Sequence, residues 1–317
     1  MKRQFVATLQ EGDTINDYFV AVRKDLRDQS SGGKFLGMVF KDRTGEIGAV
    51  LWTNAAAVSR LFEVGDVVNV RGTVTTYQDR LQVRVDQVLP MCAGEYRYED
   101  LVDVPADTEQ KTQQFKDILE SIQNEWLKKL NGLFLNDPEF MSIFGRASAG
   151  KKWHHAQPGG LLRHCYEMAR LAGLMAELFP DLDRDVLLTG IFLHDVGKLE
   201  EMTHDLCVDY TTAGKLIGHL EIGADMVRQK IAQIDGFPEL LRLQVLHCVL
   251  AHHGELVNGS PIVPKTLEAV VLYHIDNMDA QADAVARVMR ETREKRVEWS
   301  DFLPLIERQI WGGQKQS

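Results

Sequence analysis

The sequence has few features of a secreted or membrane protein. Its cysteines are four scattered residues without a C-x-x-C pair, so neither a disulfide framework nor a thiolate zinc site is indicated. It contains no apolar run close to the roughly 20 residues of a membrane-spanning helix. The first residues, MKRQFVATLQEGD, lack the apolar stretch of a signal peptide. We therefore expect a cytoplasmic protein without a membrane partner.

An excess of positive charge is also missing. The chain has 36 Lys and Arg against 46 Asp and Glu, a formal net charge of −10, which argues against broad nonspecific binding to nucleic acid. The excess acid lies in one part of the chain, because residues 1–95 hold 12 basic and 12 acidic residues and the remainder holds 24 and 34. This asymmetry predicts two differently built domains.

The first part of the chain has the alternating pattern of β-strands. Between residues 15 and 89, apolar and polar residues alternate mostly with period two. Three candidate strands are followed by a short helical stretch, N-A-A-A-V-S-R-L-F, and then by two more strands. This is the element order of a five-stranded OB barrel. We therefore assign residues 1–95 to an OB-fold nucleic-acid-binding domain.

OB barrels bind single strands through aromatic platforms and a basic groove. The candidate platforms are Phe35, Trp52 and Tyr77. The candidate phosphate partners are the basic residues Arg23, Lys24, Lys41, Arg71 and Arg84. The alternative interpretation, in which the aromatics fill the barrel and the cations form a solvated surface, is left open.

After a charged linker at residues 96–110 the strand pattern ends. Residues 111–311 are predicted to form an all-α domain, and residues 312–317 a disordered tail. The apolar spacing predicts helices at 112–134, 138–145, 160–179, 184–196, 214–234, 238–252, 264–292 and 300–311. The long helices are candidates for internal core or for a subunit interface, so homo-oligomerisation is left open.

Histidines and aspartates occupy the apolar stripes of several of these helices. His164 and His194 are in line with leucine and isoleucine at helical spacing, Asp195 follows His194 directly, and Asp276 lies in the apolar stripe of the long helix. An unpaired buried carboxylate costs several kcal/mol. His219 and the pair 252–253 add three more imidazoles. A set of imidazoles and carboxylates without thiolates predicts Mn²⁺, Fe²⁺, Co²⁺, Ni²⁺ or Zn²⁺ in preference to Ca²⁺.

The H…HD…D pattern of His164, His194-Asp195 and Asp276 resembles the signature of the HD-domain metal-dependent phosphohydrolases. With the OB-like segment in front, and the stretches H-H-A-Q-P-G-G-L-L-R-H, H-D-V-G-K-L-E-E and Y-T-T-A-G-K-L-I-G-H, nearly the whole chain is similar to the YhaM family of bacterial 3′-to-5′ exoribonucleases. The resemblance implies a hydrolase that degrades single-stranded RNA, with single-stranded DNA as a further candidate, to nucleoside 5′-monophosphates.

The resemblance also implies a ligand set for two divalent ions, with Mn²⁺ expected. The first site consists of His164, His194, Asp195 and Asp276. The second consists of His219 and His252, with the role of His253 left open and Asp195 shared between the sites. Lys198, about one turn after the H-D doublet, would contact the phosphate.

Other polar residues near these motifs receive weaker assignments. Lys152, His154 and His155 precede a Pro-Gly-Gly turn and are predicted to line the substrate entrance, because a helix N-terminus favours an anion; an ordinary loop is the alternative. Glu201 is assigned to the solvated surface.

Two other functions are compatible with the sequence. One is an HD phosphohydrolase that acts on a small nucleotide, either a cyclic nucleotide or a nucleoside triphosphate. The other is a non-catalytic single-strand-binding protein with a metal-stabilised helical scaffold. A barrel in front of the helical domain favours a polynucleotide substrate over the first, and the complete ligand set favours an enzyme over the second.

Overall fold

A computed structural model describes residues 2–29, 32–92, 94–103, 105, 107–151, 155–204, 206, 208–304 and 306–313. The chain divides into two compact units. One consists of Met1–Val104 with His204–Val208, and the other of Pro105–Thr203 with Asp209–Ser317. The main division after Val104 falls inside the predicted linker at 96–110.

The first unit is a closed five-stranded barrel. Its strands are β1 (Thr14–Asp28), β2 (Lys34–Asp42), β3 (Gly45–Leu51), β4 (Val67–Tyr77) and β5 (Arg80–Pro90), with the short helix α1 (Ala55–Val58) between β3 and β4. Around the barrel the order is β1-β2-β3-β5-β4, closed by a parallel pairing of β3 with β5. This is the OB arrangement, and the predicted fold of this part is confirmed.

Alternation of side chains explains how the barrel fills its interior. In β2, Leu36, Met38 and Phe40 are buried, while the residues between them are partly exposed.

Gly72 lies at a register shift in the β4–β5 pairing. A Cβ atom there would lie 2.3 Å from the carbonyl oxygen of Arg84, so only glycine allows the two strands to approach at this bend.

The second unit is helical. Its helices are α2 (Thr108–Glu120), α3 (Glu125–Leu135), α4 (Pro138–Phe144), α5 (Gly160–Leu178), α6 (Arg184–Leu193), α7 (Lys198–Glu201), α8 (Thr212–Leu216), α9 (His219–Ile231), α10 (Glu239–Ala251) and α11 (Leu267–Glu294). The predicted all-α architecture is confirmed. Among the described residues, the helices are each too short or too polar to span a bilayer.

The centre of this unit is α6, whose residues 186–193 are all buried. A helix that is apolar all round belongs in a core. Phe192 anchors it, because its ring lies 5.6 Å from that of Phe144 and 5.8 Å from that of Phe115. Phe192 is two residues before His194, so this packing also fixes the start of the H-D doublet.

Three predicted helices differ in the structure. The helix predicted at 112–134 is interrupted, because the side chain of Asn124 accepts hydrogen bonds from the backbone of residues 126 and 127 and caps α3. The helix predicted at 214–234 is interrupted at Gly218, whose φ is 81°. The described residues of 300–311, which exclude residue 305, contain isolated antiparallel bridges and no helix, because Pro304 disfavours helical backbone at Leu303.

Candidate functional site

The H-D doublet lies in a tight turn that follows α6. The helix ends at Leu193, and His194 and Asp195 come before α7. A Cβ atom on Gly197 would lie 2.0 Å from the backbone oxygen of His219. Glycine at this position therefore lets the turn pack directly against the start of α9, which brings two predicted ligand segments together.

His194 and His252 are held in the same way at the ends of their helices. Nδ1 of His194 donates to the carbonyl oxygen of Ile191 at 2.8 Å, and Nδ1 of His252 donates to that of Val249 at 2.7 Å. In the neutral form of a ring that donates from Nδ1, Nε2 carries the lone pair that a metal ion needs. Burial lowers the pKa of His252 to about 4. His252 is therefore neutral at pH 7, as a metal ligand must be.

Asp195 lies at the centre of the cluster and is buried. One of its oxygens, Oδ2, is 2.6 Å from Nζ of Lys198 and 3.2 Å from Nε2 of His194. Burial raises the pKa of Asp195, but the charge of Lys198 and the contact with His194 outweigh it and hold the pKa well below its usual range.

The surroundings of the other oxygen of Asp195 show whether the cluster fits a metal ion. Oδ1 is buried and accepts no hydrogen bond from the described part of the chain. It lies 3.5 Å from Nε2 of His252 and 3.6 Å from Nε2 of His219. A buried carboxylate oxygen beside two imidazole nitrogens is an arrangement that a divalent ion satisfies, and the residues therefore fit a metal.

His219 and His253 form the more open end of the cluster. Nδ1 of His219 donates to Oε1 of Glu201 at 2.9 Å, and Nδ1 of His253 donates to the backbone oxygen of Asn258 at 3.0 Å. Their Nε2 atoms are 3.2 Å apart. When both rings are neutral with the proton on Nδ1, both Nε2 atoms present lone pairs, and a bound cation would relieve their repulsion.

His164 contacts two carboxylates from one face of α11. Its Nε2 is 3.1 Å from Oδ1 of Asp276, and its Nδ1 is 2.6 Å from Oδ2 of Asp279. Burial lowers the pKa of His164, but the two carboxylates outweigh it and raise the pKa to about 9. An ion that takes Nε2 must displace this proton, while Asp279 continues to accept from Nδ1.

The seven predicted ligands thus fall into three overlapping groups. In each group one donor atom per residue lies within 4.8 Å of the others, and the groups are His164, His194 and Asp276; His194, Asp195 and His252; and His219, His252 and His253. A fourth such group consists of His155, His164 and Asp279. The structure therefore contains clusters that could hold a metal ion.

Two residues of the site were missed by sequence reasoning. Asp279 is three residues after Asp276 on α11, and that one-turn spacing is the signal that could have identified it. Glu201 was assigned to the solvated surface, but it is buried and its carboxylate holds both the ring and the backbone N–H of His219. The assignment was wrong because the tight turn after α6 directs α7 into the cluster.

Of the three residues predicted at the substrate entrance, the structure describes His155 alone. Lys152 and His154 lie outside the described residues. His155 is buried, and its Nε2 is 2.9 Å from Oδ2 of Asp279, so it contacts the carboxylate that holds His164.

Lys198, the predicted phosphate contact, is already engaged by the protein. Its Nζ donates to Asp195 and, at 2.7 Å, to the backbone oxygen of Ala149.

The barrel has a separate groove of about 520 Å³. The rings of Phe35 and Trp52 lie 5.0 Å apart at 30° in this groove. Trp52 is 52% exposed, and Tyr77 is also exposed. Arg84 lines the same groove. Two of the predicted platforms are therefore paired side by side with solvent-exposed ring surface.

Other predicted phosphate partners lie elsewhere or are already paired. Arg71 is not among the described residues that line the groove, and its Nε donates to Oδ1 of Asn16 at 3.2 Å. Nζ of Lys24 donates to the backbone oxygen of Ser59 and to the carboxylate of Glu63. Arg23 lines the groove but is paired with Asp25 at 2.7 Å.

Two family models match the chain, one in each part. Residues 161–281 match the HD domain family, and residues 20–91 match the family described as OB-fold nucleic acid binding domain. A crystal structure of a domain of replication protein A from Methanococcus maripaludis is 24% identical, covering 28% of this chain and 93% of that chain, with a TM-score of 0.25. The solution structure of the second OB-fold domain of replication protein A from the same organism is 22% identical, covering 31% and 99%, with a TM-score of 0.24.

The barrel and the buried cluster of histidines and aspartates therefore agree with the two family matches. The chain carries an N-terminal OB-fold followed by an HD domain, which indicates a metal-dependent phosphohydrolase.

Proposed function

We propose that the protein is a metal-dependent 3′-to-5′ exoribonuclease that hydrolyses single-stranded RNA, and also single-stranded DNA, to nucleoside 5′-monophosphates. The observation that carries the proposal is Asp195, whose buried oxygen Oδ1 faces two imidazole nitrogens and accepts no hydrogen bond from the described residues. The 3′-to-5′ direction follows from the resemblance of the sequence to the YhaM family.

In this proposal the cluster holds two ions. His164, His194, Asp195 and Asp276 would hold the first, and His219, His252 and His253 would hold the second with Asp195 shared. Mn²⁺ is the expected ion because the donors are imidazole and carboxylate. When bound, divalent ions act as Lewis acids that polarise the phosphodiester and acidify water at neutral pH.

The protein groups around the cluster have positioning roles. Backbone carbonyls hold His194 and His252, and Glu201 holds His219, so that each ring presents Nε2. Lys198 keeps Asp195 ionised and places a positive charge beside the cluster, which favours the approach of a phosphate anion. The ligands are thus oriented before substrate binds.

The barrel supplies the polynucleotide-binding function. Phe35 and Trp52 offer adjacent rings on which bases can stack, and such stacking is tolerant of sequence. Arg84 in the same groove is a partner for the backbone phosphate. A hydrolase of small nucleotides has no evident use for this groove, which is why we place RNA first.

The test is incubation of a 5′-labelled single-stranded RNA oligomer with the full-length protein and Mn²⁺, followed by a sequencing gel. We expect a ladder that shortens from the 3′ end. Asp195→Asn, which keeps the size of the side chain, should give no ladder. Asp235→Asn makes the same change at an exposed site remote from the cluster and should leave the ladder intact.

Two substrate variants determine what is recognised. A circular RNA of the same sequence should resist cleavage, because an exonuclease needs a free end. A deoxyribose version tests DNA. Intact linear RNA, together with hydrolysis of a nucleoside triphosphate or cyclic nucleotide, would replace the proposal with the small-nucleotide phosphohydrolase. Binding without hydrolysis of any of these substrates would favour the scaffold.

A further inference from the structure

Two short apolar segments of the helical unit are exposed next to the open end of the cluster. Leu216 and Ile217 lie at the end of α8, two to three residues before His219. Leu256 and Val257 lie three to four residues after His253. Leu216 is 80% exposed and Val257 is 91% exposed. Aliphatic side chains at such exposure leave apolar surface in water on both segments.

Contacts within the unit hold the first segment against the cluster. A Cβ atom on Gly214 would lie 2.1 Å from the backbone oxygen of Glu201, so α8 packs closely on the residue that holds His219. Gly218 then turns the chain, with φ of 81°, directly into His219. Leu216 and Ile217 are therefore at a fixed place beside His219.

The second segment is held in a similar way. Leu256–Asn258 form a single 3₁₀ turn, and the backbone oxygen of Asn258 accepts from Nδ1 of His253. The side-chain amide of Asn258 donates back to the backbone oxygen of His253 at 3.2 Å. Because Nε2 of His253 is 3.2 Å from Nε2 of His219, the two apolar segments are attached to two imidazoles that contact each other.

We propose that Leu216, Ile217, Leu256 and Val257 form an apolar rim that receives the base of the 3′-terminal nucleotide. This inference rests on the proposed function, because it takes the phosphate of that nucleotide to be bound at the cluster. The base is joined to its 5′-phosphate through one sugar, so it lies within a few ångströms of the residues that flank the phosphate site. The flat face of a base is apolar and can pack against apolar side chains.

The chemistry of the rim also predicts its selectivity. Its four side chains carry no hydrogen-bonding groups, and the amide of Asn258 is engaged with His253. A surface without donors or acceptors does not read the edge of a base. The rim should therefore accept all four bases and discriminate only between nucleotides and sugar phosphates that lack a base.

The test compares two ligands that share a sugar phosphate. Adenosine 5′-monophosphate and ribose 5-phosphate are titrated by calorimetry into the full-length protein with Mn²⁺, in a Trp52→Ala background that weakens stacking in the barrel groove. We expect roughly tenfold tighter binding of the nucleotide, in the range of contacts to one base. Uridine 5′-monophosphate should behave like the adenosine compound.

A double variant, Leu216→Gln with Val257→Gln, should remove the difference between the two ligands and leave the binding of ribose 5-phosphate unchanged. Both positions are exposed, so the fold tolerates the change. Leu240→Gln is the matched control, because Leu240 is 78% exposed on α10 and belongs to neither segment.

The outcomes separate this inference from the proposed function. Equal binding of the two ligands before substitution, or a preference that survives the double variant, overturns the rim. A change of molar mass in light scattering on substitution also overturns it, since the segments would then be a contact between copies. Loss of the base preference without hydrolysis of RNA keeps the rim and rejects the nuclease. Failure of both ligands to bind overturns the rim, while the RNA ladder decides the nuclease separately.

Discussion

The barrel groove and the metal cluster present their side chains in opposite ways. In the groove, Trp52 and Tyr77 extend into solvent, and the barrel interior is filled by other residues. In the cluster, His194, Asp195 and His252 are buried, and each is held by a named partner. The groove uses aromatic rings that stay exposed after folding. The cluster uses buried polar groups, and contacts within the fold must offset the cost of removing these groups from water.

This difference determines how each site responds to change. A half-exposed aromatic ring can be removed with little effect on folding, so its loss appears mainly in binding. A buried ligand is part of a network, so its loss alters its neighbours as well. The two sites should therefore be separable by experiment, with effects on chemistry from the cluster and effects on affinity from the groove.

The largest expected effect comes from removal of the metal. A chelator should abolish hydrolysis of RNA and leave filter binding of the oligomer to the barrel groove unchanged, because the aromatic rings and arginines proposed to bind the strand there need no metal ion. Restoring Mn²⁺ at about 100 times its dissociation constant should raise the free energy of unfolding by about 2.7 kcal/mol for each ion bound. Thermal melts across a Mn²⁺ titration measure this.

The same melts with Asp195→Asn provide the control, and we expect little or no rise with Mn²⁺. If the chelator weakened RNA binding as strongly as it weakened hydrolysis, the cluster would also hold the strand, and the separation of the two sites would fail.

A smaller effect is expected from the carboxylate that supports His164. Asp279→Asn replaces the charged acceptor of its Nδ1 proton by a neutral amide, and such changes behind a ligand typically reduce metal affinity by about 10 to 100-fold. Asp283→Asn is the matched control. Asp283 lies one turn further along α11 and accepts the backbone N–H of His155 at 2.8 Å, a bond that the amide oxygen can keep. Mn²⁺ titrations of both variants should differ; equal affinities would show that Asp279 does not tune the ligand.

The comparison also explains what could be predicted from the sequence. Histidines and aspartates in apolar stripes are conspicuous in the sequence, so the seven residues could be proposed as ligands before the structure showed that they lie together. Their partners could not, because Nδ1 of His194 and of His252 binds a backbone carbonyl and every residue has one. Asp279 has a sequence signal in its one-turn spacing from Asp276, whereas Glu201 carries an ordinary charge on a short helix and only the packing shows that it faces inward.

For the barrel, a different part of the structure could be predicted from the sequence. The strand order followed from alternation and turns, and the fold was predicted correctly. Which cations share a face with Phe35 and Trp52 depends on barrel closure and on the register shift next to Arg71, which no local pattern specifies. At 300–311, apolar spacing alone favours a helix, whereas Pro304 disfavours helical backbone at the residue before it.

Substitutions in the groove should change the affinity for RNA and not the turnover number. Trp52→Ala is expected to raise the Michaelis constant for a long RNA about tenfold, since stacking of one base contributes about 1–3 kcal/mol, with the turnover number unchanged. Leu89→Ala removes another exposed apolar side chain of the barrel and should change neither constant. Steady-state kinetics on one oligomer give both values. A fall in turnover number with Trp52→Ala would mean that the groove takes part in the chemistry.

The smallest expected effect is on the salt dependence of RNA binding, and it should differ between two arginines of the barrel. Arg84 lines the groove with Phe35 and Trp52, whereas Arg71 donates to Asn16 outside it. If Arg84 neutralises one phosphate, Arg84→Ala should reduce the slope of log affinity against log salt by about 0.7, the value per phosphate for single strands. Arg71→Ala should leave the slope as it is. Filter binding of one oligomer at four salt concentrations measures both slopes. The opposite result would place the strand on the Arg71 face, and the aromatic pair would then be an exposed surface without a base on it.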